Sequence, residues 1–193
     1  MNSFTWIATI MSMVLGLGVA RLLTDFINAV RARRATRIDW VPLTWAFCIF
    51  LTQIQFWWAF GQLADSKPVW DFVNFLGLVT MVVLLFAAAA QLLPSSDSER
   101  EGELRQFFAE RGRWALVTLS VYFVLTWIGN VTLFDTRILS VATALHLIMI
   151  ALPMLVFASK SAQVQQGATA LAVPFYVFDL VAASEPSLYN LLD

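Results

Sequence analysis

Long apolar stretches alternate with short polar ones along the whole chain. A helix rises 1.5 Å per residue, so roughly 20 apolar residues in a row cross the hydrocarbon core of a bilayer. Stretches of that length occupy 4–27, 40–63, 71–93, 114–134 and 138–158. A sixth, 168–183, is shorter, holds Pro174 and Asp179, and runs into Ser184-Glu185-Pro186. It either spans or lies along the interface. Spanning is the expectation, because a helical chain rarely stops in hydrocarbon, where its end groups find no water. The pattern predicts an all-α, polytopic integral membrane helical bundle, one membrane domain over 1–193 with six transmembrane helices. Met1-Asn2-Ser3 brings no basic residue before the first apolar stretch, which is therefore expected as a mature helix and not a cleaved signal.

The polar connections add an orientation. With the N-terminus outside, the inward connections carry Arg31, Arg33, Arg34, Arg37, Arg100, Arg105, Arg111, Arg113 and Lys160; the outward ones carry Lys67 and Arg137. Cytoplasmic loops collect Lys and Arg, so the N-terminus and C-terminus are both expected on the non-cytoplasmic side. The tryptophans agree: Trp6, Trp57, Trp58, Trp70 and Trp127 fall towards the outer interface, and Trp40, Trp45 and Trp114 towards the inner one. Within 95–113, Ser98-Glu99-Arg100-Glu101 has capping-box character, and Leu104, Phe107, Phe108 and Arg111 recur at helical spacing. This predicts a cytoplasmic amphipathic juxtamembrane helix that leads into the fourth span.

Composition sharpens the class. Hydrophobic residues make up 60% of the chain and charged ones only 13%, well outside the usual balance of soluble domains. The net charge of −1 gives no reason to expect a nucleic-acid partner. A single cysteine, Cys48, excludes an intramolecular disulfide and a cysteine-based metal cluster. No metal site and no cofactor is predicted. A bacterial-type inner (plasma) membrane is the default location.

In lipid, small and polar residues tell the packed faces of a helix apart from the others. Ala8, Ser12, Gly16 and Ala20 recur every four residues on the first span and form a helix-packing ridge. Thr44, Cys48, Thr52, Gln55, Ala59 and Gln62 line the second span. Trp114, Thr118, Tyr122, Thr126 and Asn130 line the fourth, and Thr169, Ala172, Tyr176, Asp179 and Ala183 the sixth. These stripes are expected to face the bundle interior.

Ionisable groups inside a span usually mark the interior and often the working site. Asp179 and His146 lie at matched depth, roughly 12–14 Å below the outer face by helical rise. Ser12 falls at a similar level, with Gln53 and Gln55 nearer the surface. A His–Asp pair can relay a proton or hold a cation or polar ligand; it can equally be a structural hydrogen bond. His146, Asp179, Tyr176, Gln55, Gln53 and Ser12 are thus the ligand-binding or proton-relay candidates. Arg21 and Asp25, one turn apart, form either an internal ion pair or an interfacial one with Arg21 reaching to the surface. Arg31, Arg33, Arg34 and Arg37 orient the chain and are placed to meet anionic lipid head groups.

No catalytic motif emerges. The residues point first to a small transport or ligand-binding bundle. A second reading is a non-catalytic accessory or assembly subunit, packing as a homo-oligomer or against another membrane protein through the ridge of the first span. An intramembrane enzyme ranks third.

Overall fold

The computed structural model describes residues 3–31, 39–66, 72–95, 104–134 and 140–184. Every element in it is helical: α1 (Ser3–Arg31), α2 (Trp40–Ser66), α3 (Phe72–Leu92), α4 (Leu104–Phe107), α5 (Trp114–Phe134), α6 (Val141–Ala158) and α7 (Ala162–Ser184). A π-helical turn, Phe108–Gly112, joins α4 to α5. Five helices are long and apolar enough to cross a membrane: Trp6–Arg31, Trp40–Gly61, Phe72–Leu92, Trp114–Thr132 and Val141–Ala158. The chain is an integral membrane protein by this measure. The sixth long helix, α7, has 23 residues and starts well before its predicted apolar stretch, at Ala162. Gln163, Gln165 and Gln166 occupy that extra length, and over its described residues α7 is not among the five helices apolar enough to cross.

The long helices close into a ring. α1 packs on α2 and α3, α3 on α5, α5 on α6, α6 on α7, and α7 returns to α2, which also touches α3. Two hydrogen bonds fix how α7 runs. The buried Trp45 indole N–H donates to Thr169 Oγ1 at 3.0 Å, and Gln55 Nε2 donates to Asp179 Oδ2 at 2.5 Å. Both pairs are separated by 124 residues. A constant offset means that α2 and α7 lie side by side and run in the same direction, here over about 15 Å of helix.

One end of the ring gathers the basic connections. Asp39 Oδ1 accepts the Val41 N–H at 3.0 Å, capping α2, while its Oδ2 lies 3.8 Å from Arg105 Nε. Gly112 presses on the last carbonyl of α3, that of Leu92. Arg113 stacks over Phe157 near the end of α6. The tight link into α7 is held by Gln165 Nε2 donating to the Ser159 carbonyl at 2.8 Å. At the opposite end Ser140 caps α6, accepting the Thr143 N–H at 3.2 Å.

The described part of the 95–113 connection is amphipathic. Leu104 and Phe108 are buried, and Arg105, Gln106, Glu110 and Arg111 are exposed. Ser98 to Glu101 lie outside the described residues, as do Arg33, Arg34 and Arg37.

The interior differs in part from the sequence stripes. Of the α7 stripe, Thr169, Ala172, Tyr176 and Asp179 are all buried, and the Ala183 side chain lies outside the described residues. On α1 the buried line is Ile7, Met11, Leu15, Gly18, Leu22 and Asp25. The ridge of Ala8, Ser12, Gly16 and Ala20 is turned one residue, about 100°, away. Ala8 and Ser12 are half-buried; Gly16 and Ala20 are exposed. Large apolar side chains therefore make the intramolecular seam, and of the small residues Gly16 and Ala20 face outward. On α5 the core line runs through Ala115, Leu116, Leu119, Ser120, Tyr122 and Phe123, so Thr118, Thr126 and Asn130 stay half-buried and Trp114 exposed. Ala59 on α2 is exposed. Trp45, expected in an interfacial belt, is fully buried, because α7 supplies the partner its N–H needs.

Candidate functional site

One face of α7 carries polar groups, and α2 answers it with polar groups of its own. Thr169 Oγ1 accepts from Trp45 and donates to the Gln165 carbonyl at 2.7 Å, so this buried hydroxyl is fully used. Ten residues further along both helices, Gln55 meets Asp179. Asp179 is only 4% exposed and sits five residues before the end of α7, about 7.5 Å along the axis. A carboxylate buried in an apolar interior is costly unless it is hydrogen-bonded or paired. A primary amide donor at hydrogen-bonding distance offsets part of that cost.

An aromatic network lies against this pair. Trp45 and Tyr176 meet edge to face at 6.1 Å between ring centroids, Tyr176 and Phe123 at 5.7 Å, Phe123 and Tyr122 at 5.2 Å, and Tyr122 and Phe56 at 6.4 Å. These rings tie α2, α5 and α7 together, each pair adding about 0.5–1.5 kcal/mol beyond its buried area. Both tyrosines lie within electrostatic reach of Asp179. The Tyr176 hydroxyl is buried, and among the described residues it finds no hydrogen-bond partner. A buried hydroxyl left in that state costs about 1–3 kcal/mol.

The other predicted site residues separate. His146 is half-buried, and its Nδ1 lies 3.2 Å from the Ala142 carbonyl of its own helix. His146 and Asp179 each lie five residues from an end of their helix, but the hydrogen bonds of His146 and Asp179 run to Ala142 and Gln55 and do not join the two. Gln53 and Gln55 are two residues apart and so point about 200° apart around α2. Gln55 faces α7, whereas Gln53 faces α1 and α3, where its amide packs against Gly18 and Phe86. Gln53 is fully buried, and neither end of its amide has a hydrogen-bond partner among the described residues. Ser12 lies on the outer side of α1, beside a shallow open groove of about 450 Å³ lined by Ala8, Thr9, Ser12 and Met13. It does not share the Asp179 site.

Arg21 and Asp25 form an ion pair, Nε to Oδ2 at 2.8 Å, with the Asp25 side chain 2% exposed and that of Arg21 41%. The carboxylate belongs to the α1 seam, and the guanidinium reaches out past it. Arg31 is exposed at the end of the same helix.

Tyr122 belongs to the site although sequence reasoning left it as a packing residue. Its signal was available: it lies on the polar line of the fourth span at the middle of the helix. Trp45 was missed because a tryptophan five residues inside a span reads as interfacial until its partner helix is known. Among the described residues, no three side chains of the His, Cys, Asp or Glu type gather as a metal site. Set beside known protein families, curated proteins and solved structures, the chain has no match in any of the three comparisons, and its function is read from its own residues.

Proposed function

We propose that this chain is a six-span membrane protein, both termini outside, in a bacterial-type inner membrane. We read it as a small transport or ligand-binding bundle whose working centre is Asp179. The observation that carries this reading is the buried Asp179 carboxylate held by Gln55, with the Tyr176 hydroxyl, which has no hydrogen-bond partner among the described residues, in the same interior. In this reading Asp179 takes up and releases a cation, in the simplest case a proton, and the two tyrosines and Gln55 hold the group that carries it. Crossing by α7 is supported by its parallel course along α2, which carries it from the basic end of the ring to the far end. The N-outside orientation is supported by Asp39, Arg105, Arg113 and Phe157 gathering at a single end.

The test is proton flux into liposomes that hold the purified protein and an entrapped pH-sensitive dye. Because His146 bonds to its own helix and not to Asp179, His146→Ala is expected to keep most of the wild-type flux. A His146→Ala protein that is folded yet inactive would instead restore the His–Asp pair as the working unit. Wild-type protein that passes no proton, and binds none, removes the reading.

The second reading, an accessory subunit that packs against other membrane helices, draws on one observation. On the ridge of Ala8, Ser12, Gly16 and Ala20, Gly16 and Ala20 are exposed and the other two half-buried, and nothing lies within 4 Å of a Cβ built on Gly16. Small residues let a neighbouring helix approach closely in lipid. Gly16→Leu is then expected to break a detergent-stable complex, seen by size-exclusion chromatography with light scattering, while the thermal unfolding of the monomer stays unchanged. A strictly monomeric wild-type protein would sink this second reading and leave the first untouched.

A further inference from the structure

Arg113 stands between the π-helical turn and α5, where its backbone is fixed at both ends. Its N–H donates to the Phe108 carbonyl at 2.9 Å, and its own carbonyl accepts the Leu116 N–H at 3.0 Å. The guanidinium carbon lies 5.4 Å from the centroid of the Phe157 ring. Trp114, the next residue, meets the same ring at 5.0 Å. Phe157 thus fixes an arginine and a tryptophan as one corner between α5 and α6, at the basic end of the bundle.

The corner is left incomplete. Arg21 has Asp25, and Arg105 has Asp39. Arg113 has no carboxylate among the described residues, and its Nε is withdrawn from solvent with no hydrogen-bond partner. The Trp114 side is outward: the residue is 53% exposed, and its indole N–H donates to nothing among the described residues. Lys160, three residues beyond Phe157 in the link to α7, is exposed and adds a second positive charge. A half-buried guanidinium, an outward neutral indole donor and an ammonium thus stand at one end of two helices long and apolar enough to cross a membrane.

We infer that the Arg113–Trp114–Phe157 corner, with Lys160, binds the phosphate of an anionic lipid. A guanidinium meets a phosphate through two parallel N–H···O bonds, a geometry an ammonium cannot copy. The cation–π contact with Phe157 holds the arginine in place beforehand, so less side-chain freedom is lost on binding. The exposed indole is suited to the boundary between head group and acyl chain. The residues of this site are separate in sequence from the arginines at 31–37, and it rests only on the helices crossing a bilayer. The Asp179 reading can fail without touching it.

Native mass spectrometry of the purified full chain provides the test. The protein is released from nanodiscs of phosphatidylcholine containing a minor share of phosphatidylglycerol, and retained lipids are counted. Wild type is expected to retain phosphatidylglycerol in preference to phosphatidylcholine. Arg113→Gln is expected to lower that retention by roughly fivefold, the effect of one charge near a membrane surface. Arg113→Lys should fall between the two. Lys160→Gln, at an exposed position, should give a smaller loss, and it keeps the test alive if Arg113→Gln does not fold. Arg31→Gln should change nothing. Equal retention by wild type and Arg113→Gln overturns the proposal. So does a loss with Arg31→Gln as large as with Arg113→Gln, since that marks diffuse surface charge. Displacement of the lipid by millimolar inorganic phosphate would assign the corner to a soluble phosphate and likewise overturn it.

Discussion

Asp179→Asn is expected to fold as wild type does and to reduce proton flux in liposomes to the level of empty vesicles. The substitution is nearly isosteric. An asparagine carbonyl oxygen still accepts the Gln55 amide that reaches Asp179 at 2.5 Å, so the α2–α7 contact survives. What disappears is the ability to hold a negative charge and exchange a proton. Because the site is almost fully buried, removing that charge also removes a desolvation cost, and thermal stability should stay level or rise. Gln55→Leu is the converse. It keeps the carboxylate and deletes its amide donor, which should destabilise by about 1–3 kcal/mol. The two variants separate charge from packing: Asp179→Asn is stable and silent, Gln55→Leu is less stable and at least partly active. If Asp179→Asn carries wild-type flux, the carboxylate is a structural bond between helices and the proposed centre is wrong. Stability is read from thermal unfolding in detergent and flux from the entrapped dye, so one effect cannot be mistaken for the other.

The spans were legible because their signal is one-dimensional. A run of some 20 apolar residues needs no partner to be recognised, and five such runs reappear as helices of spanning length and apolarity. The interior of α7 was legible for a related reason. Its polar and small residues fall on one line, and an apolar environment leaves them only the protein to face. The seam of α1 was not legible. Two lines, Ile7-Met11-Leu15 and Ala8-Ser12-Gly16, stand one residue apart, and in lipid neither is more apolar than its surroundings. Which one turns inward depends on the shape of α2 and α3, at Gly18 in particular, where a neighbouring side chain needs the missing Cβ.

The site shows the same limit. Counting residues gives a position along a helix axis, and His146 and Asp179 each fall five residues from a helix end. Two further coordinates, rotation about each axis and the order of helices around the ring, decide whether side chains meet. Rotation alone separates Gln53 from Gln55, and that was readable from their spacing. The ring order was not. The contact of α2 with α7, which joins Gln55 to Asp179 and Trp45 to Thr169, links residues 124 apart, and no local pattern announces it.

Gly112→Ala is expected to be among the most damaging single-methyl changes in the protein, and the neighbouring glycines show why. A Cβ built on Gly112 would lie 2.6 Å from the Leu92 carbonyl oxygen and 3.2 Å from Phe108 Cδ2. The first of these is backbone at the end of α3, and it cannot swing aside. One of the two helices must move, which either unwinds the π-helical turn at Phe108–Gly112 or lifts α4 from the end of α3. Overpacking of this kind costs about 1–3 kcal/mol. At Gly18 the nearest atom is equally close, 2.7 Å, but it is Gln53 Nε2, the far end of a flexible side chain. Gly18→Ala should therefore cost less, about 1 kcal/mol or under, since rotation of the amide relieves the contact. Gly16 faces open space, and Gly16→Ala should be neutral or slightly stabilising through helix propensity. Thermal unfolding in one detergent should rank the three variants as Gly112→Ala lowest, Gly18→Ala intermediate and Gly16→Ala at or above wild type. A Gly112→Ala protein as stable as wild type would mean that α4 and the π-helical turn do not rest on α3 as described. The juxtamembrane helix would then be free to move relative to the bundle, and Arg113, which follows directly, would lose the fixed position on Phe157 that the lipid site needs.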